Sequence, residues 1–157
     1  MITGGSRAWT LVVFVLFAFL PTLGAIGAPP GEWYAQLRKP ALNPPGWVFG
    51  PVWTVLYLLI GVSAWMVWER AEPGARALPM GILALNLLCN GLWSWLFFGL
   101  HRPDLALIDL GVLWGTIVAV IWAYARIHPL AAGLQVPYLA WVSFAGYLNF
   151  MLWQLNR

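Results

Sequence analysis

Charge is scarce in this chain, and so are the side chains that usually do chemistry. Among 157 residues there are eight Lys or Arg, five Asp or Glu, two His and one Cys. A single cysteine excludes an internal disulfide and a thiolate metal cluster, and Cys89, set among apolar neighbours, reads as packing. The cations stand singly at the edges of apolar runs. The net charge of +3 therefore makes no patch for nucleic acid and reads as membrane flanking. No Ser/His/acid or Cys/His set can be placed together, so no catalytic group and no metal site is assigned.

Apolar residues are abundant. A chain of this length that is 62% hydrophobic and 8% charged cannot bury that much apolar surface in one small soluble core, so lipid must be its solvent. Five stretches approach the roughly 20 apolar residues a spanning helix needs: 8–28, 47–68, 78–100, 105–125 and 130–155. The first has signal-like features, with Arg7 ahead of it and Gly24, Ala25, Gly27 and Ala28 at its end, and is read as a retained helix. Spanning backbone must satisfy its own hydrogen bonds, which predicts an all-α membrane protein. The expectation is a single domain over 1–157, a bundle of five transmembrane helices with a long ordered loop between the first two.

Short links at 101–104 and 126–129 make the third, fourth and fifth helices antiparallel neighbours. His101 and His128 then lie on opposite membrane faces, which excludes a bis-histidine haem site. The long 29–46 link carries Trp33, Tyr34, Leu37, Arg38, Lys39, Pro40, Asn43, Pro44 and Pro45. It is too aromatic and proline-stiffened for a solvated linker, and reads as a lid over one mouth of the bundle. Internal repeats at the level of helix pairs are not visible, which argues against an inverted-repeat transporter. For five passes, Arg7, Arg70, Arg76 and Arg126 fall on one side and Arg38, Lys39, Arg102 and Arg157 on the other. That tie leaves the orientation and the identity of the membrane open.

Twelve tryptophans exceed what interfacial anchoring requires. Trp9, Trp47, Trp68 and Trp153 lie near helix ends, where an indole belt is the default. Trp53, Trp93, Trp95, Trp114 and Trp141 lie deeper, where an indole N–H needs a partner or a wet cavity. Asn86, Asn90, Trp93 and Phe97 share one helix face, as do Tyr138, Trp141, Ala145 and Leu148, while Trp53 and Tyr57 are one turn apart after Pro51. Two readings remain: interhelical packing with Asn as hydrogen-bonding glue, or a pocket for a flat, largely apolar ligand stacked on indoles. Asp109, the one acid within a span, is read as a structural residue near a helix N-terminus that reaches the headgroups or Arg102. Gly111 with Gly115, and Gly46 with Gly50, permit close helix approach.

Several motifs in order carry a resemblance. Trp33-Tyr34-x-x-Leu37-x-Lys39-Pro40, Asn43-Pro44-Pro45-x-Trp47-x-Phe49 and Pro51-Val52-Trp53-Thr54-x-Leu56-Tyr57 are followed by Asn90-x-x-Trp93-x-x-x-Phe97-Phe98-Gly99 and Ala106-Leu107-x-Asp109-Leu110. Pro137-Tyr138-Leu139-x-Trp141-x-x-Phe144-Ala145-x-x-Leu148-Asn149 closes the series. Together they resemble the tryptophan-rich sensory protein and translocator protein family, also called the peripheral benzodiazepine receptor family, in a bacterial form. The resemblance implies a multi-pass receptor or sensor with a regulatory or stress-related role, often a homodimer. It would bind porphyrins such as protoporphyrin, haem-like tetrapyrroles, sterols and synthetic benzodiazepine-site ligands under the first loop, with no cofactor required beyond porphyrin as ligand.

Carried over residue by residue, the pocket would use Tyr34, Pro44, Trp53, Asn90, Trp93, Trp141, Ala145 and Leu148. Trp53 and Trp141 are expected to face each other across it. The resemblance also brings two alternatives, light-dependent porphyrin breakdown involving Trp53 and Trp141, and transport of porphyrin or sterol-type ligands. Sterol recognition is expected to be weak, because Phe150 and Gln154 stand where the family's sterol motif needs Tyr and a basic residue.

Overall fold

The first apolar stretch does not form one helix. The computed structural model describes residues 4–157 and has α1 over Gly4–Ala18 and α2 over Thr22–Gly27. Pro21 accounts for the break, since its ring removes a backbone donor and crowds the carbonyl four residues earlier. Around it the chain tightens to three-residue hydrogen bonds, Leu20 to Phe17 and Thr22 to Phe19. The Thr22 hydroxyl also donates to the Phe19 carbonyl, at 2.6 Å.

The 29–46 segment contains a short helix, α3, over Glu32–Gln36. A single 3-10 turn at Gly46–Val48 then leads into α4, Phe49–Arg70. After another such turn at Pro73–Ala75, α5 runs over Ala77–Ser94 and continues as a π-helical turn, Trp95–Gly99. There the Leu100 N–H reaches back five residues to the Trp95 carbonyl, at 2.8 Å. Helix α6, Pro103–Ala125, starts on a proline whose missing donor would be unpaired there in any case.

The last apolar stretch is also divided, into α7, Pro129–Gly133, and α8, Val136–Leu155. Pro137 cannot donate to the Gly133 carbonyl, so the helix breaks one turn before it. Gln135 is buried at the break and donates through Nε2 to Ser63 Oγ at 2.6 Å, tying the junction to α4.

Four helical segments among the described residues are long and apolar enough to cross a membrane: Arg7–Gly27, Gly46–Arg70, Pro73–Gly99 and Pro103–Ala125. Helix α8 has 20 residues but carries Tyr138, Ser143, Tyr147, Asn149 and Gln154, which make it less apolar. Helix α6 packs against α5, α7 and α8, and α4 packs against α1 and α7. Its buried ridge is Leu113, Ile117, Val120 and Tyr124, spaced to keep one face inward, and α4 presents Ile60, Ala64 and Val67 in the same way.

Close approach falls to glycines other than the expected pairs. A Cβ on Gly61 would sit 2.7 Å from the Val15 Cα, and one on Gly24 would overlap the Gly91 carbonyl oxygen. These positions bring α1 onto α4 and α2 onto α5. Around Gly46, Gly50, Gly111 and Gly115 a Cβ would meet nothing within 4 Å, so neither pair serves helix packing within the chain. Of the deep tryptophans, Trp95 and Trp114 are half-exposed, and the Trp114 indole has the partner its depth calls for, Ser143 Oγ at 2.9 Å.

Candidate functional site

The break at Pro21, the 29–46 segment and the facing sides of α4, α5 and α8 enclose a cavity of about 790 Å³. Small-molecule sites typically span roughly 300–1,000 Å³ and are mostly apolar with a few placed polar groups. This cavity fits that description. Of the residues expected to form a pocket, Tyr34, Pro44, Trp53, Asn90, Trp93, Ala145 and Leu148 line it together.

Two stacked aromatic pairs form much of the wall. Trp53 lies over Tyr57 with ring centroids 5.3 Å apart and planes 26° from parallel, and Trp93 lies over Phe97 at 5.1 Å and 23°. Each pair sits one turn apart on its own element, which is why helical spacing puts both rings on one face. Ala145 is small, so α8 leaves room opposite them.

The polar groups of the wall are held by one another. Tyr57 donates its hydroxyl to Asn90 Oδ1 at 2.8 Å, and Asn90 Nδ2 donates to the Tyr138 hydroxyl oxygen at 2.9 Å. Tyr138 in turn donates to Asn86 Oδ1 at 3.2 Å, and Asn86 Nδ2 donates to Thr116 Oγ1 at 2.9 Å. The chain links α4, α5, α8 and α6, so asparagine acts as interhelical glue and as cavity wall at once. On the far side, Trp93 Nε1 donates to Asn149 Oδ1 at 2.9 Å, and Asn149 Nδ2 to the Pro103 carbonyl at 2.8 Å. With these partners fixed, the wall is preorganised.

Trp141 is placed elsewhere. Among the described residues, the lining of the cavity does not include it. Its ring meets Phe49 edge-on at 5.8 Å, and Phe49 is a lining residue, so Trp141 stands behind the wall and does not face Trp53 across the space. Its indole nitrogen is buried without a partner. Helical spacing on α8 alone carries no information about the Phe49 neighbour that Trp141 meets.

The 29–46 segment covers the mouth with Tyr34, Lys39, Asn43, Pro44 and Pro45. Trp33 stacks on His101 at 4.4 Å and 13°, and Tyr34 packs edge-on against Phe98 at 5.3 Å. Lys39 Nζ donates to the carbonyls of Tyr34 and Ala35 at 2.9 and 3.1 Å, closing the C-terminal end of α3. Sequence reasoning did not assign the lining residues Phe19, Thr22 and Ala25. The signal for them was Pro21, whose break turns this part of the first pass toward the cavity. Asn149 was also missed as a wall residue, although it lies one turn beyond Ala145 on the same face of α8.

Asp109 does not pair with Arg102. Arg102 donates to Asp104 Oδ1 at 2.8 Å in an exposed bidentate pair, and that hydrogen bond raises its pKa further above the ordinary arginine value. Asp109 is buried on α6, its Oδ2 has no partner, and it does not line the cavity.

The order of motifs, the lidded cavity and the apolar helices all bear on kinship. A model of the TspO/MBR family matches residues 9–154. The chain belongs to the TspO/MBR family. It is 40% identical over 149 residues to the translocator protein of Bos taurus, covering 90% of this chain and 88% of that one. It is 42% identical over 132 residues to the tryptophan-rich protein TspO of Chlorobaculum tepidum, covering 81% and 82%. To the tryptophan-rich sensory protein of Cereibacter sphaeroides it is 40% identical over 146 residues, covering 88% and 90%. As a TspO/MBR protein it is an integral, multi-pass membrane protein. The exposed Leu16, Leu23, Ile26, Leu88 and Ile108 are then the surface it presents to lipid.

Proposed function

We propose that the protein is a receptor or sensor that binds a tetrapyrrole such as protoporphyrin in the lidded cavity, with a regulatory or stress-related output. The observation that carries this reading is the pairing of an aromatic wall, Trp53 on Tyr57 and Trp93 on Phe97, with an exposed cation at the mouth, Lys39, whose ammonium also closes α3. A flat apolar macrocycle suits the wall, and its carboxylates suit the mouth. Synthetic benzodiazepine-site ligands share the flat aromatic body and fall within the same proposal. Sterols carry no carboxylate for the mouth and, with Phe150 and Gln154 in place of a Tyr and a basic residue, are expected to bind weakly.

Helix α8 is proposed as the fifth pass, because its 20 residues carry no charge and a hydrogen-bonded Asn149 is tolerated inside a bundle. The protein is then a single five-pass domain. A homodimer belongs to the same reading: Gly111 and Gly115 open onto the outer face of α6, where a helix of a second copy can approach.

The test is to follow reconstituted protein with protoporphyrin by absorbance and mass spectrometry, in the dark and under light. Saturable binding with an unchanged Soret band in both conditions supports the receptor. Loss of the band in light with new products supports a light-dependent degradative enzyme, and absence of saturable binding removes the tetrapyrrole reading. A proton- or ion-coupled transporter has less to stand on, since Asp109, the buried acid of α6, does not line the cavity.

A further inference from the structure

We propose that Asn156 is a latch that holds the lid shut, so that one side chain at the end of α8 sets how fast ligand enters and leaves the cavity. This rests on the reading of the cavity as a ligand site and deepens it.

Asn156 follows the last residue of α8 and uses its whole amide. Its Oδ1 accepts the Arg38 N–H at 2.9 Å, and its Nδ2 donates to the Arg38 carbonyl at 3.0 Å. The pair is reciprocal, like one rung of a β-ladder. Nδ2 also donates to the Leu152 carbonyl at 2.8 Å, covering one of the unpaired acceptors at the helix end. The side chain is thereby fixed by its own helix while it clasps the lid 118 residues away in sequence.

The position of the clasp gives it leverage. Arg38 lies between Tyr34, which lines the cavity and packs on Phe98, and Lys39, Asn43 and Pro44, which cover the mouth. The other attachments of the lid precede Arg38 in the chain: Trp33 stacks on His101, Tyr34 packs edge-on against Phe98, and Leu37 packs with them against the cluster of Phe97, Ala106 and Leu152. Release of Arg38 removes the hydrogen-bonded tie between this part of the lid and α8, while Trp33, Tyr34 and Leu37 keep their own packing. The latch contacts lie at the exposed rim and Asn156 is not a lining residue. Opening therefore changes access without changing the wall that holds the ligand.

Asn156→Ala in lipid nanodiscs should raise the association and dissociation rates of protoporphyrin together, each by about three- to tenfold for two solvent-exposed hydrogen bonds. A clasp that is the same in the empty and filled protein should move the dissociation constant by less than about twofold. Asn156→Asp replaces the donor by a carboxylate oxygen that faces the Arg38 and Leu152 carbonyls, so it too should speed both rates. Amide hydrogen exchange at Arg38, measured without ligand, reads the clasp directly and should be faster in Asn156→Ala. Unchanged rates with unchanged Arg38 exchange would overturn the latch. A change in affinity alone, with entry unaffected, would also overturn it, since that is the mark of a wall residue. If the unmodified chain binds no protoporphyrin, the tetrapyrrole reading fails, and the Arg38 exchange still decides whether Asn156 holds the lid.

Discussion

Trp93 and Asn149 join α5 to α8 through an indole N–H that ends on a carboxamide oxygen at 2.9 Å, and both residues line the cavity. The bond fixes the tilt of the ring that stacks on Phe97. It also explains how an indole can stand beside an apolar space without an unpaired donor.

Asn149→Leu should therefore act on stability and binding together. Losing the acceptor for Trp93 and the donor for the Pro103 carbonyl leaves two part-buried groups unpaired, a cost of up to about 1–3 kcal/mol each. A lowered melting temperature in detergent and a several-fold weaker protoporphyrin affinity are the expected results. Stability falling with affinity unchanged would show that the Trp93 face does not touch ligand.

Tyr138→Phe cuts the hydrogen-bonded chain at its middle. Asn90 Nδ2 and Asn86 Oδ1 both lose their shared partner in a buried setting, and the expected loss is about 1–3 kcal/mol. Tyr57→Phe, at the end of the chain, removes one bond and should cost less. Thermal unfolding of the two variants side by side checks the order.

The sterol response tests the outer end of α8. Phe150 is exposed and Gln154 half-buried there, so Phe150→Tyr with Gln154→Arg can be accommodated without disturbing the core. The double variant should bind cholesterol more tightly than the unmodified chain, in a titration with a fluorescent sterol. An unchanged affinity would place any sterol contact elsewhere.

Helical periodicity made much of the wall legible. The spacing of Asn86, Asn90, Trp93 and Phe97 places one face of α5 inward, and Asn86, Asn90 and Phe97 are buried there. Proline and aromatic content made 29–46 readable as an ordered cover, because such a segment has little entropy to lose and large rings to shelter. Tertiary choices were not legible. Which of many glycines would meet a neighbouring backbone depends on how helices cross, and this fell to Gly24 and Gly61. Likewise Trp53 lines the cavity while Trp141 packs against the lining residue Phe49, a contact between α8 and α4 that the periodicity of either helix does not encode. Pro21 and Pro137 were visible as letters, but apolar runs on both sides hid the helix breaks they cause.

Whether the aromatic face built on Trp53 holds the ligand is read by a protoporphyrin titration monitored by quenching of protein fluorescence. Stacking of a flat ring on an indole is worth on the order of 1–3 kcal/mol by analogy with other aromatic platforms, which is about tenfold or more in affinity. Trp53→Ala should weaken binding by about that factor, and Trp141→Ala, behind Phe49, by less. Trp9→Ala, on the outer surface where the native ring is 72% exposed, should bind as the unmodified chain does. With folding of each variant checked by circular dichroism, a Trp53→Ala protein that binds as tightly as Trp9→Ala would contradict the account.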